Sequence, residues 1–161
     1  MADILNSTVL TRTLPPDQVP VVFGGWFARC RQLVMEQEGV IDKFLGDGLF
    51  AYWPEQEGTA ERIARTVEQL KVLQGQAQPA FRFVIHHGLI SLGGAADTGD
   101  GSLLGQEVHF VFRMEKLAGA LKQDRLLSES VADRLKPHLP AQPVGRYPLS
   151  GFEGEFPFFT C

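Results

Sequence analysis

GVIDKFLGDGLFAYWP, residues 39–54, sets two apolar runs on either side of Gly46-Asp47-Gly48. Val40, Ile41, Phe44 and Leu45 lead in; Leu49, Phe50, Tyr52 and Trp53 lead out. β-branched and aromatic side chains pack well on a pleated surface, and an Asp-Gly pair between two such runs tolerates the backbone a tight hairpin needs. The segment therefore predicts two antiparallel strands joined by a short turn, with Pro54 closing the second.

Upstream, Val22, Phe23, Trp26, Phe27, Cys30, Leu33 and Val34 recur at spacings of three and four, which predicts an amphipathic helix. Asp17, after Pro15-Pro16, is a candidate cap for its start and Gly39 for its end. Ala2 to Leu5 reads as the end of a strand, followed by the small polar Asn6, Ser7 and Thr8.

Downstream, Thr59 opens a second helix with Ile63, Val67 and Leu70 on one face, and a polar loop covers 74–79. Residues 81–92, FRFVIHHGLISL, read as a strand that continues past Gly88 or turns there. The Gly- and Asp-rich stretch 93–101 reads as a loop or arm. Val108, Val111, Phe112 and Leu117 predict a third helix over 107–121. Ser128 is placed to cap a short helix carrying Val131 and Leu135, and strand-like pieces follow at 144–149 and 155–159. The order is β-α-β-β-α-β with further α and β elements behind it. That predicts an α+β fold with a ferredoxin-like βαββαβ core, and no repeat or linker divides the chain.

The net charge of −4 and the lack of a basic stripe argue against DNA or RNA as a partner. No apolar run approaches the roughly 20 residues that span a bilayer. Cys30 and Cys161 show neither metal-ligand nor disulfide-framework spacing, so a reducing, cytoplasmic setting is expected.

Four short motifs, taken in order, carry a resemblance. They are Ala2-Asp3-Ile4-Leu5-Asn6-Ser7-Thr8, Val40-Ile41-Asp42-Lys43-Phe44-Leu45-Gly46-Asp47-Gly48, Phe81-Arg82-Phe83-Val84-Ile85-His86-His87-Gly88, and the run Leu103 to Glu115. Each is weak alone. Together, with Asp3 and Asp47 standing 44 positions apart, the chain resembles the class III adenylate and guanylate cyclase catalytic domains along nearly all its length.

That resemblance implies a nucleotidyl cyclase fold over residues 1–161, and conversion of ATP to 3′,5′-cyclic AMP and pyrophosphate by two Mg²⁺ or Mn²⁺ ions. Asp3 and Asp47, with the Ile4 backbone, would hold the metals, since hard cations take oxygen ligands. Lys43 stands where adenine-selecting members have a lysine and guanylate cyclases a glutamate. Ser102 stands at the partner position that accepts from the exocyclic amine. Arg82 matches an arginine that contacts the phosphates, and Arg113 one that stabilises charge at the α-phosphate. His109 replaces the asparagine that orients the ribose, and Ser150 replaces a lysine that grips the triphosphate in some members. His86 and His87 are read as strand histidines rather than a metal site.

The resemblance also implies a head-to-tail homodimer. Asp3, Asp47 and Arg82 would come from one protomer, and Lys43, Ser102, His109 and Arg113 from the other. Only two residues precede Asp3, so a catalytic domain cut from a longer chain with an upstream regulatory part is expected. A catalytically degenerate cyclase-homology module that dimerises and regulates a neighbouring domain is the second reading. A diguanylate cyclase is disfavoured because Gly46-Asp47-Gly48 stands where a Gly-Gly-acid-Glu-Phe hairpin would be.

Overall fold

The alternating β-prone runs and amphipathic stripes become a mixed α+β chain in the computed structural model, which describes residues 1–76, 79–93 and 102–161. In order the elements are β1 (Ala2–Ile4), α1 (Ser7–Thr13), α2 (Gln18–Glu36), β2 (Val40–Leu45), β3 (Gly48–Tyr52), α3 (Thr59–Gln76), β4 (Phe81–Ile85), β5 (Ser91–Gly93), β6 (Ser102–Leu104), α4 (Gln106–Ala120), β7 (Arg125–Ser128), α5 (Glu129–Leu135), β8 (Gln142–Pro148) and β9 (Glu155–Thr160). The expected βαββαβ order is present from β1 to β4, with α1 inserted before α2. Two compact units divide the chain: Ala2–Arg82, and Met1 with Phe83–Cys161. No helix among the described residues is long and apolar enough to cross a membrane.

In the first unit the strand order is β2-β3-β1, antiparallel throughout. The predicted hairpin forms with Leu45 opposite Gly48, so its two loop residues are Gly46 and Asp47. Gly46 takes φ 63 and Asp47 is not among the positive-φ residues. A positive φ at the first loop position alone is what glycine supplies in a type II′ turn. The turn thus uses Gly46-Asp47, not Asp47-Gly48. The pairing shifts register between Ile41 and Lys43, which marks a bulge at Asp42.

Helices α2 and α3 pack on each other. They bury Trp26, Cys30 and Val34 from one, and Ala64, Val67, Leu70 and Leu73 from the other. Trp26, Cys30, Val34, Val67 and Leu70 are among the positions whose spacing predicted the two helices, whereas Ile63, also on the predicted stripe, is half-buried; burying each large apolar side chain contributes about 1.5–3 kcal/mol. The end of α2 departs from expectation. Glu38, not Gly39, is the left-handed residue, with φ 58. Gly39 N–H bonds the Val34 carbonyl at 2.9 Å and Glu38 N–H the Met35 carbonyl at 3.1 Å, the paired bonds of a Schellman end. Gly39 is required for space instead: a Cβ there would lie 2.6 Å from both Trp53 and Val34 side chains. Asp17 does occupy the N-cap of α2, but its side chain makes no capping bond.

In the second unit β4 and β7 pair in parallel, β7 pairs antiparallel with β9, and β9 with β8. Leu126, Leu127 and Phe158 are wholly buried there. α4 buries Phe110, Val111, Met114 and Ala118, and α5 buries Val131, Ala132 and Leu135. Phe110 meets Phe152 and Phe156 edge-on, each with ring centroids 5.1 Å away. β5 and β6 form a separate antiparallel pair.

Three elements were not anticipated. α1 buries no residue, so it carries no apolar stripe. β6 and β7 have 3 and 4 residues, too short to show a period. α3 runs to Gln76, into the loop expected over 74–79, of which residues 77 and 78 lie outside the described residues. β4 stops at Ile85, so His86 and His87 lie beyond the strand. The predicted loop over 93–101 falls on residues 94–101, outside the described residues, apart from Gly93 in β5.

Candidate functional site

β1 and β3 pair so that Asp3 lies directly opposite Gly48, the residue after Asp47. The Ile4 N–H donates to the Asp47 carbonyl at 3.0 Å, which pins the hairpin loop against β1. Two acids far apart in sequence are therefore neighbours in the first unit. Gly48 is what makes room. A Cβ on it would lie 2.8 Å from Asp3 Oδ1 and 2.9 Å from the Ala2 carbonyl. The Asp3 carboxylate thus rests over a backbone that carries no side chain.

Asp3 and Asp47 are both half-buried. The Ser7 hydroxyl, at the first position of α1, donates to Asp47 Oδ2 in a short contact. Asn6, just before α1, adopts the left-handed conformation with φ 54, turning the chain from β1 into that helix. The Ile4 side chain is 2% exposed and belongs to the core, so only its backbone could serve a metal. The donors are hard oxygens, the kind Mg²⁺ and Mn²⁺ prefer. Among the described residues no three His, Cys, Asp or Glu side chains gather as a metal cage. A cation held by Asp3 and Asp47 would need further oxygens from backbone, water or phosphate, which suits Mg²⁺.

Lys43, on β2, sits opposite Phe50. Its Nζ lies 3.3 Å from Asp42 Oδ2. The Asp42 side chain is only 2% exposed, and that of Lys43 38%. Sequence reasoning gave Asp42 no role; in a regular strand it and Lys43 would point to opposite faces. The bulge removes that alternation and lets the pair meet. Arg82 lies half-buried on β4.

In the second unit, Ser102 opens β6 and pairs with Gly93. His109 and Arg113 both lie on α4, four residues and so about one turn apart; His109 is exposed and Arg113 half-buried. Ser150 is exposed in the turn after β8. His86 stands apart from these. Its ring is engaged at both nitrogens, by Ser128 Oγ at 2.8 Å and Glu107 Oε2 at 2.5 Å, and it stacks on Phe110 with centroids 4.4 Å apart. Ser128, expected to cap α5, makes no side-chain cap bond there. The sequence offered no signal for this cluster, since its members come from three segments remote in the chain.

No family model matches the chain, and no curated protein matches it. Solved structures do. The adenylyl cyclase CyaB from P. aeruginosa superposes with a TM-score of 0.80 at 23% identity, over 99% of this chain and 89% of that one. The guanylate cyclase domain of RhGC from Catenaria anguillulae, solved in complex with GTP, gives 0.82 at 16% identity, over 98% and 91%. A bacterial light-regulated adenylyl cyclase gives 0.77 at 20% identity, over 99% and 85%. The chain has the fold of the class III nucleotidyl cyclase catalytic domains.

Proposed function

We propose that this chain is a nucleotidyl cyclase that converts ATP to 3′,5′-cyclic AMP and pyrophosphate at sites shared between two copies of itself. The observation that carries the reading is the register of β1 on β3. It sets Asp3 over the bare backbone of Gly48, next to Asp47, in a fold otherwise seen in adenylyl and guanylyl cyclases. Two Mg²⁺ or Mn²⁺ ions held by Asp3, Asp47 and the Ile4 backbone would lower the pKa of the attacking hydroxyl and neutralise the leaving group.

The ribose 3′ oxygen attacks the α-phosphorus. The new O–P bond forms as the bond to the β-phosphate oxygen breaks, pyrophosphate leaves, and the hydroxyl proton passes to solvent. Lys43 donates to the adenine ring acceptor N1, and Ser102 accepts from the exocyclic amine. The Asp42 carboxylate anchors the lysine so that its ammonium is presented in one place. Arg82 meets the phosphates. Arg113 stabilises charge growing on the α-phosphate, a kind of contact whose loss typically costs about 10²–10³ in rate. His109 orients the ribose as a hydrogen-bond donor.

Purified protein incubated with ATP or GTP, each with Mg²⁺ or Mn²⁺, should form cyclic AMP from Mn²⁺-ATP most readily. Asp47→Ala should abolish it. Undiminished product from Asp47→Ala removes the metal role of that residue.

The exposed His109 and Ser150, where the resembled family has asparagine and lysine, favour a second reading: a dimerising module that no longer catalyses. His109→Asn separates the two. Activity gained from a silent wild type indicates a decayed enzyme, whereas silence in both indicates the module.

A further inference from the structure

We propose that His86 and Glu107 hold one shared proton in a partly buried clamp that positions helix α4, and with it His109 and Arg113. The functional consequence rests on the cyclase reading above; the clamp itself does not.

The hydrogen inventory forces the proton into place. The His87 carbonyl can only accept, so the single hydroxyl hydrogen of Ser130 goes to it, at 2.9 Å. Ser130 Oγ then accepts from Ser128 Oγ at 3.0 Å, which uses the Ser128 hydrogen. Ser128 Oγ can therefore only accept from His86, and Nδ1 must carry a hydrogen for their 2.8 Å contact. The remaining nitrogen, Nε2, lies 2.5 Å from Glu107 Oε2. A bare ring nitrogen and a carboxylate are both acceptors and would repel at that distance. A proton lies between them, on the imidazolium or on the carboxyl group, and in either form the pair has no net charge. The His86 side chain is 9% exposed and that of Glu107 35%.

The backbone is shaped around this contact. A Cβ on Gly88 would lie 2.6 Å from Glu107 Cγ and 2.8 Å from its Cδ and Oε2, so in this arrangement the glutamate crosses the bare backbone of a glycine. Ser128 stands at the N-cap of α5 yet gives its oxygen to His86 instead of the helix. Phe110 stacks on the ring. Glu107 is the second residue of α4. The clamp thus ties the first turn of that helix to the chain leaving β4 and to the β7–α5 junction. His109 and Arg113 ride on the same helix, so a slip at its first turn carries both with it.

The test uses the whole chain with ¹⁵N-labelled histidine and backbone. In the wild type at neutral pH, His86 Nδ1 should be protonated, and an unprotonated Nδ1 overturns the proton inventory. Glu107→Gln is near-isosteric at a half-exposed position and should keep the melting midpoint. It should move the amide resonances of α4 as far as Arg113; shifts confined to the immediate neighbours of residue 107 overturn the positioning role. In the cyclase assay the same variant should lose about 10²-fold in kcat, with KM changed less than about twofold, the pattern of misplaced reacting groups. His86→Gln should repeat both effects. A rise in KM at constant kcat also overturns the positioning role. Should the wild type form no cyclic nucleotide, the cyclase reading fails while the resonance measurements still decide the clamp.

Discussion

Lys43 and Asp42 show how much a single displaced residue can change. A carboxylate at 2% side-chain exposure needs a cation near it, and Lys43 supplies one at 3.3 Å. Lys43→Met leaves that charge buried without its cation, and removing one partner of a buried pair can cost about 3–5 kcal/mol. Lys43 is itself 38% exposed, so a smaller loss, about 1–3 kcal/mol, is expected in chemical denaturation. Adding Asp42→Asn to Lys43→Met should recover part of it, and a double variant less stable than Lys43→Met would contradict the pairing. Gly48→Ala sets a methyl group 2.8 Å from Asp3 Oδ1 and 2.9 Å from backbone oxygen, which cannot move aside. It should lower stability by about 1–3 kcal/mol and, in the cyclase assay, weaken activation by Mn²⁺. Asp3, Lys43 and Asp47 could be singled out from sequence because their motifs stand in order. Asp42 could not, because its role depends on a register slip that side-chain identity does not announce.

Among the elements, α2 was the most legible and its termination the least. Its apolar spacing runs over several turns, and the residues on that stripe, Trp26, Cys30 and Val34, are the buried ones. Burial pushes the Cys30 thiol up to about 12, so no reactive thiolate forms there near neutral pH. Titration with a thiol reagent should label one cysteine, Cys161, in the native protein and both after unfolding; fast native labelling of Cys30 would contradict the packing of α2. Gly39 was expected as the left-handed residue at the end of α2, but Glu38 takes that conformation and Gly39 yields its space to Trp53. Gly39→Ala should therefore destabilise through a clash, by about 1–3 kcal/mol, with a lowered melting midpoint as the readout. Propensity identifies a glycine near a helix end, but what passes beside it is a tertiary matter.

At the scale of the whole molecule, the shared-site proposal makes a prediction that no single chain can meet. Asp47 and Arg113 would serve one site from different protomers. Asp47→Ala and Arg113→Ala should each be inactive alone, yet mixed dimers would keep one intact site of two. Equal mixing should restore about a quarter of wild-type activity if subunits exchange freely. A mixture that stays silent despite demonstrated exchange would contradict sites shared between chains. Sequence by itself determined the βαββαβ order, the hairpin and the long amphipathic helices, because hydrophobic periodicity and turn chemistry act over a few neighbouring residues. The tertiary structure alone decided the Asp3–Gly48 register, the bulge that joins Asp42 to Lys43, and the His86–Glu107–Ser128 cluster. Those depend on distances between segments remote in the chain, and hydrogen-bond pairing across them is settled only once the backbone has packed.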